Sequence, residues 1–260
     1  MSSRKDQKER ARARRLELEA ARRAHARRKR WRAGIATTAT ALVLLGGAVV
    51  VTDSAANHTS PPSTLPADTL ASLGTLGTLK SPGAPGTVGP EGVPIPDAPP
   101  LAGGDHRSVG APVDGIECQG GEEVLFHIHA HLTVFVNGAA RQVPYGIGIP
   151  GAQVSPTSAG PYVGAGTCFY WLHTHAADGI IHTESPVQRT YTLGNFFDVW
   201  GQKLSPTEVG PARGTVTALY NGRVFRGNPR YIPLTRHAQI QLEVGRPLVA
   251  PVAISFPSGL

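Results

Sequence analysis

The sequence predicts a mainly β domain at the C-terminal end of the chain, an antiparallel β-sandwich or barrel with one short helix. A single N-terminal transmembrane helix and a disordered linker are expected to precede it. Three observations carry the fold class. Residues 123–136 alternate strictly, with Phe126, Ile128, Ala130, Leu132, Val134 and Val136 on one face and Leu125, His127, His129, His131, Thr133 and Phe135 on the other. Asn-Gly, the strongest short hairpin signal, occurs at 137–138 and again at 221–222. Only Leu193–Trp200 has helical spacing of large apolar residues, with Thr192 as N-cap and Gly201 just past its end.

Taken from the N-terminus, residues 1–33 form a basic segment with 14 Lys/Arg against 4 Asp/Glu, a net charge of +10. The other 227 residues hold 11 against 14, a net of −3. The overall charge of +7 is therefore a property of the tail, and no nucleic-acid surface is predicted on the folded part. Residues 34–51 carry no charge, and with flanking residues to 52 they approach the ~20 apolar residues that cross a bilayer. Arg and Lys crowd the N-terminal flank while Asp53 follows the span, so the positive-inside rule puts the N-terminus in the cytoplasm and the rest outside. A cleaved signal peptide ending near Ser54-Ala55-Ala56 competes with this reading, but its basic region is normally short, whereas here it runs for 33 residues. No Cys follows the span to take a lipid. The basic segment reads as a topology determinant that also touches anionic headgroups.

Residues 53–110 are dominated by Pro, Gly, Ser and Thr, with sparse and unperiodic apolar side chains. Such a composition predicts a disordered tether, because it buries too little surface to offset its ordering entropy. As a flexible coil it would reach roughly 40 Å. The domain proper is then expected at 111–260, with further strands at 167–174, 180–183, 188–191, 215–220, 223–225 and 238–244. Phe196, Phe197 and Trp200 are read as core.

Cys118 and Cys168 are the only cysteines, and both fall in the exported part. An oxidising compartment favours a disulfide between them, joining the segment before the first histidine strand to the start of the second. With no thiolate left and Met1 as the only methionine, a soft-metal carrier is disfavoured.

Six of ten histidines lie between 127 and 182, as H-I-H-A-H (127–131) and H-T-H-A-A-D-G-I-I-H (173–182). Imidazole is the commonest protein metal ligand, and H-x-H on a strand puts both rings on one face. His127, His129, His131, His173, His175 and His182 are therefore the expected ligands of zinc or copper. If 176–179 is a four-residue turn, His175 pairs with Ile180 and His173 faces His182 across a hairpin, so that His173, His175 and His182 form a three-nitrogen site with an open fourth position. His127 and His131 are ~13 Å apart on a regular strand, so one ion cannot take the whole first cluster. Asp178 and Glu184 are candidate outer acceptors or catalytic bases. No phosphate-cradling glycine motif indicates a nucleotide or flavin.

The motifs H-x-H-x-H-L (127–132), W-L-H-T-H-x-x-D-G-I-I-H-x-E-S-P (171–186), Y-T-L-G-x-F-F-D-V-W-G (191–201) and F-P-x-G-L (256–260) resemble those of a family of uncharacterised membrane-anchored extracytoplasmic proteins from bacteria and archaea. The likeness covers most of 118–260 and implies an exported histidine-rich domain. The carbonic anhydrase zinc site is a geometric analogy only. A cupin is disfavoured, since 132–138 reads LTVFVNG without the needed glutamate. Three functions stay open from the sequence: metal sequestration, sensing or delivery; a zinc hydrolase or hydratase using His173, His175 and His182 with Glu184 or Asp178; and a metal-free structural or assembly module.

Overall fold

The structure is a computed structural model that describes residues 67–104, 109–123 and 125–260, all of them within one unit, Ser63–Leu260. The basic segment 1–33, the expected transmembrane helix 34–52 and residues 53–66 of the expected linker lie outside the described residues. Among the described residues no helix is long and apolar enough to cross a membrane.

A seven-stranded sheet organises the domain. Its strands in chain order are β1 (Phe126–Val136), β2 (Ala139–Arg141), β3 (Leu172–His173), β4 (Ile180–Ser185), β5 (Val216–Tyr220), β6 (Arg223–Phe225) and β7 (Ala238–Val244). Across the sheet the order is β6-β5-β7-β1-β4-β3. β2 pairs with the last residues of β1, beyond the stretch that pairs with β4. Both Asn-Gly sequences form the expected tight turns, with φ of 51° and 72° at Asn137 and Gly138 and 51° and 78° at Asn221 and Gly222.

The expected all-antiparallel barrel or sandwich requires correction. β7 runs parallel to β1, the main sheet does not close, and two α-helices are present among the described residues rather than one. Alternation encodes which face of a strand is buried but not its neighbour. A tight turn enforces antiparallel pairing only between strands it joins directly, and the long connection from β1 to β7 leaves the parallel arrangement open.

The core lies on one face of β1. Ala130, Leu132 and Val134 share a single apolar cluster with Ile181, Ile240 and Leu242 and with the aromatic side of α2 (Leu193–Trp200). This helix is capped as its sequence predicts. The Thr192 side chain accepts from Asn195 N–H, the Asn195 side chain returns to the Thr192 N–H, and Gly201 ends the helix at φ 69°. Phe196, Phe197 and Trp200 are buried, and the Trp200 indole donates to the Gly103 carbonyl at 2.8 Å.

Residues 67–104 differ from the expected tether. They begin with α1 (Ala67–Gly74), then run as a strap over the sheet domain. Lys80 N–H donates to the Leu248 carbonyl and the Lys80 carbonyl accepts from Ala250 N–H, both at 2.8 Å, and Leu101 N–H donates to the Gln142 carbonyl at 2.9 Å. Leu73, Val93 and Leu101 are buried. A few widely spaced anchors suffice because the surface they bury belongs to the domain, which local composition does not report. The disulfide joins Cys118 and Cys168 as expected, beside the short pairing of 118–119 with 169–170.

Candidate metal centre

β4 lies between the two histidine strands, and register alone assembles most of the cluster. His129 and His173 both stand opposite His182, on its two sides, and His127 stands opposite Glu184. Side chains at alternate positions share a face, so His127, His129, His131, His182, Glu184 and His173 project together, away from the apolar core. The turn before β4 is tight: Gly179 has φ +87°, and a Cβ there would lie 2.4 Å from the Leu132 carbonyl oxygen and 3.0 Å from His131 Nε2. After His173 the chain leaves the strand. His175 therefore does not pair with Ile180 but turns toward a second hairpin, Gln153–Thr157 with Gly160–Ala165.

Two groups of four donors result. His127, His129, His182 and Glu184 form one, and His173, His175, His182 and Glu184 the other; within each, the donor atoms lie within 4.8 Å of one another. Either group can hold a metal ion. All six residues are buried except His127, whose side chain is 36% exposed. His127 Nε2 lies 3.0 Å from both His129 Nε2 and Glu184 Oε1.

The second group has a feature that hydrogen bonding alone does not satisfy. His173 Nδ1 donates to the Tyr170 carbonyl at 2.8 Å and His175 Nδ1 donates to the Val163 carbonyl at 2.5 Å. Each proton must sit on Nδ1, because a carbonyl can only accept. Both Nε2 atoms then present lone pairs to each other at 3.2 Å. Protonating one would resolve the clash, but burial, with the nearby His182 charge, holds His173 well below its ordinary value and lowers His175. A cation does resolve it. Two nitrogens on a tetrahedral zinc are separated by about 3.3 Å, given bonds of ~2.0–2.1 Å.

His182 is pushed up, to about 9. Burial opposes its charge, but the carboxylates of Glu184 and Glu91 outweigh that. Its Nε2 donates to Glu91 Oε1 at 2.7 Å, while Nδ1 lies 3.5 Å from Glu184 Oε1 and has no hydrogen-bond partner among the described residues. A carboxylate holding one imidazole nitrogen while the other faces a donor cluster is the usual support of a metal-binding histidine. Burial pushes the Glu184 carboxyl up, but His127 and His182 hold it well below the usual range. Burial and the His182 and His127 charges lower His129 to about 3.

His131 is outside both groups. Its Nε2 donates to the Asp178 carbonyl at 2.9 Å, and burial lowers it to about 4. Asp178 is also outside the groups. Its Oδ1 accepts from Ile180 N–H at 3.0 Å to shape the turn, and burial with the Glu91 charge pushes it up to about 7. Two carboxylates were missed. Glu91 comes from the strap, 91 residues from its partner His182. Glu122 lies with Oε1 3.6 Å from His175 Nε2. No local periodicity marks either one, since both are placed by long-range packing.

No protein-family model, curated protein or solved structure matches this chain.

Proposed function

We propose that this protein is a membrane-anchored extracytoplasmic metal-binding protein that sequesters, senses or delivers zinc or copper at the cell surface. The observation that carries the reading is the buried His173–His175 pair, with both Nδ1 protons committed and both Nε2 lone pairs facing at 3.2 Å. A buried acceptor left unpaired costs ~1–3 kcal/mol, and one ion would relieve both. The apolar segment 34–52 behind a basic run supports a single-pass cell-membrane anchor with the N-terminus in the cytoplasm. The disulfide and the motif resemblance support an oxidising, extracytoplasmic setting.

Binding is favoured over zinc hydrolysis because Glu184, the better placed of the two candidate bases, is itself a donor in both groups and has Oε1 3.0 Å from His127 Nε2. The metal-free assembly module is disfavoured by the facing lone pairs. Elemental analysis of the full-length chain, purified without a histidine tag, tests the reading. At least one zinc or copper per chain is expected, and the H173A/H175A variant should hold at least one ion fewer than the wild type. A metal-free chain that also refuses added Zn²⁺ and Cu²⁺ would sink the proposal.

A further inference from the structure

The cluster offers more donors than one ion can use. Resting on the metal-binding reading, we infer that the cluster is a two-ion centre, in which each H-x-H pair chelates its own ion and the Glu184 carboxylate bridges them. The two donor groups share His182 and Glu184, but each has a private pair, His127 with His129 or His173 with His175. A single tetrahedral ion at the second group would leave the first pair behind, with Nε2 atoms 3.0 Å apart and the buried His129 Nδ1 without a hydrogen-bond partner among the described residues. A single ion at the first group would leave the lone pairs of His173 and His175 facing each other.

The shared residues have the placement that bridging requires. His182 and Glu184 stand two residues apart on β4, which β1 and β3 flank on its two sides. Glu184 Oε1 faces His127 and His182, while Oε2 is buried and has no hydrogen-bond partner among the described residues. One carboxylate thus has an oxygen for each ion.

One nitrogen of His182 can serve only one ion. That ion has four protein donors: its H-x-H pair, His182 and Glu184. The other has three, and so keeps an open position for an exchangeable ligand. The centre therefore combines one closed ion and one accessible ion.

The test is the stoichiometry of the full-length chain, stripped with chelator, dialysed against Zn²⁺ and measured by elemental mass spectrometry. Two zinc ions per chain are expected, falling to one in H127A/H129A and to one in H173A/H175A. A wild-type ratio of one overturns the two-ion centre while leaving metal binding intact, and a ratio of zero overturns both. A second equivalent that survives in both pair variants lies elsewhere and also overturns it. Because either variant can fail to fold, the wild-type chain loaded with Cu²⁺ gives an independent measurement. Two cupric ions sharing a carboxylate produce a magnetically coupled paramagnetic resonance spectrum, and two uncoupled signals would count against the bridge.

Discussion

His173 and His175 are 0% and 2% exposed, and a backbone carbonyl fixes the tautomer of each. His127 and His129 have the same H-x-H spacing but stand on a regular strand, where the His127 side chain is 36% exposed and His129 Nδ1 is without a hydrogen-bond partner among the described residues. The difference comes from the surroundings of each pair. Past His173 the chain leaves β3, which carries His175 to the hairpin that supplies the Val163 carbonyl and the Tyr162 ring stacked on it at 5.1 Å. One pair is preorganised by tertiary contacts, whereas the other is positioned by register alone. Preorganised donors lose less freedom on binding, so the buried pair should hold its ion more tightly.

The largest expected effect is the direct contrast between the pairs. A structural zinc site binds with about 10–16 kcal/mol over four ligands, or roughly a hundredfold per ligand. Removing His173 and His175 should therefore weaken the tightest ion by ~10⁴, whereas H127A/H129A should leave that constant within about tenfold. Competition against a chromophoric chelator measures both, and equal losses would erase the distinction.

His131 sharpens the comparison as a histidine on the same strand face that lies outside both donor groups. Burial lowers it from the ordinary 6.5 to about 4, so between those values the unfolded chain takes up more protons than the folded one. Its contribution is fully present above pH 6.5 and is lost as pH falls through 4, about 3 kcal/mol in all. His131→Gln should bind metal as the wild type does yet lose this part of the acid sensitivity in denaturation of the metal-free chain. A fall in metal stoichiometry would instead make His131 a ligand.

Glu91→Gln comes next. Loss of the carboxylate that orients His182 should reduce affinity by ~10–100-fold without changing the number of ions bound. An unchanged affinity would show that the strap merely covers the site. The smallest effect is expected for Tyr162→Ala, which removes the stack on His175. Aromatic pairs of this kind contribute ~0.5–1.5 kcal/mol, so the tight site should weaken by no more than about tenfold. Thermal melts with and without Zn²⁺ would register the loss only in the metal-bound state.

Much of this arrangement was legible in advance. The faces of β1, both Asn-Gly turns, the bounds and caps of α2 and the pairing of His173 with His182 all follow from short-range patterns, where period and turn chemistry have few alternatives. The parallel pairing of β7 with β1 was not, nor was the order imposed on 67–104. Leu73, Val93 and Leu101 are too far apart to make a pattern, and their burial depends on a surface built from the rest of the chain.

The sequence by itself determined that five of the six histidines share one side of adjoining strands, through residue type and a spacing of two, and that two cysteines are there to join, through residue type alone. Only the tertiary structure decided which of those histidines meet. It turned His131 aside to a backbone carbonyl, set Glu184 between two H-x-H pairs and brought Glu91 from the strap to His182. Donors converge on a point through strand order and long-range packing, and neither is written in local periodicity.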